Sequence, residues 1–259
     1  MNVKKKLLDI YYFPFLSKER ENQLQKTIRD TEWDSVKKYI RPGCSFLDVG
    51  CGAGYNITKA VNEFGCKAKG VDPDPGAHGV GRKSDELFYE VIKAQAEKLP
   101  FENKSFDVVF CSHVLEHVES EIESLREMSR VMKDDGLLII GMPTSTMVWI
   151  NFVSQLLLTT HMRIVNFFMK PFINTGYGRF IHIFFPPSHS FSEKTILYDL
   201  EHYQSKNWKK IVSTEFEVTE KILPLLYPNP SMLQVFKMRK CRDFSSSVFF
   251  VCKKKTKNK

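Results

Sequence analysis

Between residues 17 and 142, short apolar runs alternate with stretches whose apolar positions recur every three or four residues. Residues 17–40 are rich in charge, with Leu24, Ile28, Trp33, Val36 and Ile40 at helical spacing, and Arg41-Pro42-Gly43 closes the element. The run 45–49 predicts a first strand, Asn56 to Phe64 a helix stopped by Gly65, and 66–71 a second strand. Asp72-Pro73-Asp74-Pro75-Gly76 has the composition of a turn. Glu86 to Val91 predicts strand 3, and Phe106 to Cys111, apolar around Asp107, a central strand 4. Glu119 to Met132 carries Ile122, Leu125, Met128 and Met132 at helical spacing; Asp134-Asp135-Gly136 is expected to stop that helix ahead of a fifth strand over Leu137–Met142. Strands alternating with helices imply a parallel sheet covered on both faces.

The pattern changes at Pro143. Residues 143–188 hold few charges and many large apolar side chains. Trp149, Phe152, Val153, Leu156 and Leu157 fit one helical face opposite Asn151, Ser154 and Gln155. Val165, Phe168 and Phe172 mark a second face, with Arg163, Asn166 and Lys170 opposite. Neither run approaches the roughly 20 apolar residues of a membrane-spanning helix. Ser190-Phe191-Ser192-Glu193 has the form of a capping box opening a helix through about Tyr203. Ile211 to Val218 and Ser247 to Cys252 read as two last strands.

Composition changes this picture little. The net charge of +8 is partly terminal, in Lys4-Lys5-Lys6 and in the basic tail 253–259, where solvated ends are the expectation. No aromatic–basic ladder accompanies these lysines, so no nucleic-acid partner is expected. Cys44, Cys51, Cys66, Cys111, Cys241 and Cys252 show no metal-like spacing and read as small apolar residues of a reducing, cytoplasmic compartment. Asp9 and Pro14 interrupt the N-terminal apolar run, and no signal peptide is expected.

The chemistry concentrates where strand 1 ends. Asp48-Val49-Gly50-Cys51-Gly52-Ala53-Gly54 runs from a buried strand into a turn where backbone can approach a ligand closely. Asp72 follows the next strand, giving a nucleoside-binding βαβ unit. A dinucleotide fingerprint from Gly50 would need glycine where Tyr55 stands, which disfavours a nicotinamide-dependent oxidoreductase. Further segments follow in order: Ala96-Glu97-Lys98-Leu99-Pro100-Phe101, Phe106-Asp107-Val108-Val109-Phe110 leading into His113-Val114-Leu115-Glu116-His117-Val118, and Arg130 to Ile140. Together these resemble the class I S-adenosylmethionine (SAM)-dependent methyltransferases, in the broad methyltransferase type 11 group that acts on small molecules and lipids.

The resemblance covers residues 44–142, with a weaker echo over 189–254. It implies an α/β fold: a Rossmann-like, doubly wound, seven-stranded sheet, mostly parallel with its last strand antiparallel. Within one methyltransferase domain spanning 1–259, the SAM-binding core would be 44–142, an apolar cap would be inserted over 143–188, and 189–254 would complete the fold. It implies SAM as cofactor, with Gly50, Cys51, Gly52 and Gly54 at its methionine and ribose portions, Asp48 near the amino group, and Asp72 on the ribose hydroxyls. Gln95, Ala96, Glu97 and Ser112 complete the expected set; Gln95 stands where the family often has an acid. No metal is expected, because the inverted zinc-protease spacing of His113, Glu116 and His117 lies in a strand-to-turn context.

His113 and His189 are the candidate general bases, needed only when the acceptor loses a proton on attack. His161 and His182 fall in the apolar insert and read as packed side chains. The insert and the aromatic run Tyr11-Tyr12-Phe13-Pro14-Phe15 point to a small-molecule, lipid-like or lipid-linked acceptor and to contact of 143–188 with a membrane surface. The alternative is a methyltransferase-like binding module that holds SAM without turnover.

Overall fold

Seven strands hydrogen-bond into one sheet: β1 (Ser45–Val49), β2 (Lys67–Asp72), β3 (Glu90–Lys93), β4 (Phe106–Ser112), β5 (Met132–Pro143), β6 (Phe216–Ile222) and β7 (Ser247–Lys254). The computed structural model describes residues 18–76, 90–154, 196–227 and 238–255. The spatial order is β3-β2-β1-β4-β5-β7-β6. β1 to β5 run parallel, and β7 pairs antiparallel with both β5 and β6. The chain winds outward from β1 to β3 and then returns to β4 beside β1. The carboxyl ends of β1 and β4 therefore flank the switch point where open α/β sheets bind ligands.

Successive residues of β1 face opposite sides, so both sheet faces are apolar. Phe46, Val108, Phe110, Ile139 and Phe249 pack with Trp33 and Val36 of helix α1 (Lys18–Val36) and with Ile57 and Ala60 of α2 (Tyr55–Phe64). Leu47, Val49, Val109, Leu138 and Ile140 pack on the other face with Leu125 and Met128 of α3 (Glu121–Val131). Burial of each such side chain contributes roughly 2–3 kcal/mol relative to leaving it in water. The acid within β4 has its own account: the Ser45 amide and hydroxyl donate to Asp107, and Lys133 Nζ lies 2.9 Å from its other oxygen. Burial opposes the charge, but these partners hold the Asp107 carboxyl at about 2.

Most predicted elements form within a residue or two of the expected bounds, and the departures have local causes. Strand 3 is described at Glu90–Lys93, and most of the expected 86–91 lies outside the described residues. β5 starts at Met132 rather than Leu137: Phe106 pairs with Met132 and Val108 with Leu137, so residues 133–136 form a bulge inside the strand. Gly136 permits it, since a Cβ there would lie 2.7 Å from Met132 Cγ and 3.0 Å from the Asp107 carbonyl oxygen. Asp134-Asp135-Gly136 thus belongs to a bulge within β5, and α3 ends before it at Val131.

Ile211 belongs not to a strand but to helix α6 (Ser205–Val212), which buries Trp208 and Val212; β6 begins only at Phe216. The tail expected from 253 also shortens, because Lys253 and Lys254 are in β7 and Lys254 pairs with Asp134 at 3.3 Å.

Residues 145–154 form helix α4 after β5. Trp149 and Val153 are 52% and 40% exposed, while Met147, Val148 and Ser154 are buried. Thr144 sets this rotation: its amide donates to the Ser246 carbonyl, its hydroxyl to the Ser245 carbonyl, and the Met147 amide turns back to it. The rest of the insert, the capping box, His161, His182 and His189 lie outside the described residues. Helix α5 (Ile196–His202) is the described part of the element expected after that box. No described helix is long and apolar enough to cross a membrane.

Candidate functional site

The turn after β1 is pinned to β2 by backbone. The amides of Gly50 and Cys51 both donate to the Val71 carbonyl, at 2.7 and 3.0 Å. Gly52 donates to Asp72 Oδ2 at 2.8 Å, and the Gly76 amide returns to the Gly52 carbonyl at 3.0 Å. Gly50, Gly52 and Gly54 all have positive φ. At Gly50 the constraint is double: φ is +72°, and a Cβ would lie 2.1 Å from Val114 Cγ2, on a stiff side chain of the β4 loop. Gly50→Ala is therefore expected to destabilise the protein by about 2–3 kcal/mol and to disturb the turn. A thermal melt checks it, and an unchanged transition would refute the packing argument.

Asp48 ends its strand 1% exposed, and its Oδ2 has no hydrogen-bond partner. Burial drives its carboxyl up to about 8, against the opposing pull of an Asn56 hydrogen bond and the Arg29 charge and with help from nearby Asp72. A buried carboxylate oxygen without a donor is a place for a cationic or N–H group.

Asp72 is also buried, and its two oxygens accept from Gly52 and Asp74, each at 2.8 Å. These bonds fix the carboxylate while leaving further acceptor capacity. Cys51 is buried, and desolvation first, then the neighbouring Asp48 and Asp72, pushes its thiol pKa upward. Gln95 is exposed and Ala96 buried in the loop after β3, beside Asp72, whose carbonyl accepts from the Ala94 amide. Glu97 instead reaches the loop before α3, accepting from the amides of Glu119 and Ser120. Ser112, at the end of β4, accepts from Arg29 Nη1 at 3.3 Å.

His113 follows with φ +56° and a side chain 15% exposed. Its Nε2 lies 3.2 Å from Glu32 Oε1 of α1, and its Nδ1 lies 3.6 Å from Glu116 Oε1. Burial favours the neutral ring, but attraction from these two carboxylates raises its pKa to about 9. Glu32 is held at about 2, where burial is outweighed by His113, Arg29 and Ser247. Glu116 is likewise lowered, chiefly by His113 against burial. A protonated ring between two anions has no lone pair with which to take a proton. The arrangement argues against His113 as a base and for an imidazolium that ties α1 to the β4 edge. It also explains the H-x-x-E-H spacing, since Glu116 sits between His113 and His117, the latter 3.9 Å away. No described group of residues could hold a metal.

The sequence reading missed Glu32, Arg29, Tyr227 and Ser247. Glu32 Oε1 accepts from Tyr227 Oη at 3.0 Å and from Ser247 Oγ at 2.6 Å. Helical phase was the available signal, since Glu32 lies four residues after the buried Ile28 and four before the buried Val36.

These features suit SAM. The glycine turn admits close backbone approach, Asp72 offers a fixed carboxylate to hydroxyls, and the unpartnered Asp48 oxygen offers an acceptor for an ammonium. Residues 47–140 match the methyltransferase domain family. The chain is 36% identical over 121 residues to the tRNA U34 carboxymethyltransferase of Aeromonas hydrophila, covering 43% of this chain and 36% of that protein. It is 26% identical over 146 residues to the sterol 4-C-methyltransferase strm-1 of Caenorhabditis elegans, covering 52% and 43%. The chain thus spans about two-fifths of the length of these relatives. Among solved structures, a SAM-dependent methyltransferase of Thermotoga maritima superposes with a TM-score of 0.55 at 20% identity, over 92% of this chain and 94% of that one.

Proposed function

We propose that this chain, whose residues 47–140 form a class I SAM-dependent methyltransferase domain, is an active enzyme transferring a methyl group to an apolar, lipid-like small-molecule acceptor. The observation that carries the cofactor reading is the buried, unpartnered Asp48 oxygen beside the glycine turn, at the sheet's switch point. When bound, SAM supplies a methyl group on a positively charged sulfur, already activated for displacement. The protein's contribution is placement. Asp48 would hold the ammonium, the turn at Gly50–Gly54 would bring backbone to the methionine and ribose portions, and Asp72 would accept from the ribose hydroxyls. Gln95, exposed in the loop after β3, could accept from the adenine amino group, with Ala96 beneath the ring.

The acceptor reading rests on the surface beyond β5. Trp149 and Val153 are exposed on α4, which leaves the carboxyl end of β5, and Leu197 of α5 is 71% exposed. An apolar acceptor would find partners there. The two curated relatives are named for tRNA and sterol substrates, and the exposed apolar side chains favour the second kind. With His113 bracketed by carboxylates, an acceptor hydroxyl would have to give its proton to another group; His189 keeps that candidacy as a proposal.

Calorimetric titration with SAM and, separately, NADH tests the reading. Saturable SAM binding without an NADH response is expected. Absence of SAM binding would overturn it and leave the non-catalytic binding module. Methyl label from SAM should then pass to a sterol or lipid-linked acceptor; label reaching bulk tRNA instead would move the acceptor to RNA.

A further inference from the structure

We propose that Cys44 and Cys66 are a modification site: a dithiol that a low-molecular-weight disulfide converts into a bridge across the starts of β1 and β2. Their sulfurs lie 3.4 Å apart. All six cysteines are free thiols and five are buried, so burial alone singles out none of them. The juxtaposition does, since among the described residues no other two thiols are in contact.

The sheet register produces it. Cys44 immediately precedes β1 and Cys66 immediately precedes β2, and the two strands pair in parallel from Ser45 opposite Lys67 onward. One step back along that register sets Cys44 beside Cys66, and the Lys67 amide donates to the Cys44 carbonyl at 2.9 Å. Neighbouring strands lie about 4.8 Å apart, inside the roughly 4.4–6.8 Å that a disulfide requires between Cα atoms. The sulfurs would have to close from 3.4 Å to about 2.0 Å. The chain has slack for this. Each cysteine follows a glycine of positive φ, Gly43 at +71° and Gly65 at +62°, with no atom within 4 Å of the place a Cβ would take. The pair also lies one layer below the surface. Cys44 and Cys66 are 8% and 6% exposed, against 0% for Cys111 and Cys252, and Arg41, Gly43, Gly65 and Lys67 around them are exposed.

The exchange balances in two steps. One cysteine thiolate attacks a sulfur of the small disulfide, breaks its S–S bond and releases one small thiolate, leaving a mixed disulfide on the protein. The second cysteine then attacks the protein sulfur of that mixed disulfide and displaces the other small thiolate. Two electrons pass from the protein sulfurs to the reagent, and the two cysteine protons end on the two released thiols. Burial, and then the neighbouring Cys44 thiol, pushes Cys66 up to about 12, which slows the reaction in the folded protein. The equilibrium, by contrast, is set by how closely the fold holds the two sulfurs. The closed loop would enclose β1, the glycine turn and α2, so the bridge would constrain the segment that carries the candidate cofactor turn.

The test equilibrates the full chain with equal concentrations of oxidised and reduced glutathione, folded and in high urea, starting from reduced and from oxidised protein. Acid quenching, alkylation of free thiols and peptide mass mapping give the bridged fraction. The ratio of bridged to dithiol Cys44–Cys66 is expected to be at least about tenfold higher in the folded protein than in urea. By linkage the bridge should then favour the folded state by the same factor, about 1.4 kcal/mol, in urea titrations with and without dithiothreitol. Cys44→Ser should abolish both the bridge and the dithiothreitol-dependent difference. An equal ratio in the folded and unfolded chain would overturn the proposal, as would a different pairing in the folded protein or no Cys44–Cys66 bridge from either starting state. These wild-type comparisons need no variant to fold.

Discussion

Replacing His113 by alanine is expected to cost about 3–5 kcal/mol of folding stability near pH 6, because it leaves two buried carboxylates without their shared cation. Glu32 and Glu116 have side chains 3% and 1% exposed, and each already keeps one buried oxygen without a hydrogen bond. The pH dependence follows from the signs. The His113 pKa is raised from 6.5 to about 9, so its contribution is complete below about 6.5 and disappears as pH rises through 9. The Glu32 pKa is lowered from 4.5 to about 2, so its contribution is complete above about 4.5 and disappears as pH falls through 2. Between those limits the ion pair is whole. Urea denaturation of wild type and His113→Ala at pH 6 and pH 9.5 should show a large difference that shrinks at the higher pH. Alanine inherits the same positive φ, so backbone strain largely cancels in the comparison. A difference below about 1 kcal/mol at both pH values would mean that the network carries no net stabilisation and that a neutral His113 remains open as a base.

What could be read from the sequence, and what could not, divides along one physical line. Local signals placed the glycine turn, Asp48, Asp72 and the strand-helix alternation, because each depends on neighbours within a few residues. Glu32 could not be read this way. In the sequence it is one acid in a charged helix; in the fold its partners His113, Tyr227 and Ser247 arrive from 81, 195 and 215 residues away. The same holds for His113, whose position after strand 4 suggested a base until both ring nitrogens met carboxylates. Trp149 and Val153 mark a second limit of the sequence. Periodicity identifies an apolar stripe but not which way it turns, and here the hydrogen bonds of Thr144 to the Ser245 and Ser246 carbonyls decided the rotation. The bulge at 133–136 was hidden because Asp-Asp-Gly ends helices and bends strands with the same residues.

Asp48→Asn should strengthen the fold while weakening cofactor binding. A carboxyl whose folded pKa lies at about 8, against 3.8 for an aspartate free in water, holds its proton more tightly when folded. Stability from this group is therefore complete below about pH 3.8, declines as pH rises, and is fully lost above about 8. At pH 7 the cost of keeping it as a carboxyl is on the order of 4 kcal/mol by linkage. Asparagine removes that dependence but brings an amide that needs partners, so a net gain of about 2 kcal/mol is expected in the ligand-free protein. Binding responds in the opposite sense. An ammonium needs the ionised carboxylate, whose fraction rises from about 1% at pH 6 to about 10% at pH 7, so SAM affinity should climb about tenfold over that interval. Near pH 8 the rise should end, because an α-amino group begins to lose its own proton at about 7.7–8.0. His113 stays protonated through most of this window, with Glu32 and Glu116 ionised beside it. Asp48→Asn should bind SAM roughly 100-fold more weakly than wild type at pH 7.5, with no slope between pH 6 and 7. Melting curves at pH 7.5 and SAM titrations from pH 6 to 8.5 measure both halves. A variant that binds SAM as the wild type does, or a wild-type affinity flat with pH, would remove Asp48 from the ammonium site; a variant less stable than wild type would show that the fold, with its Asn56 hydrogen bond, favours the carboxyl over the amide.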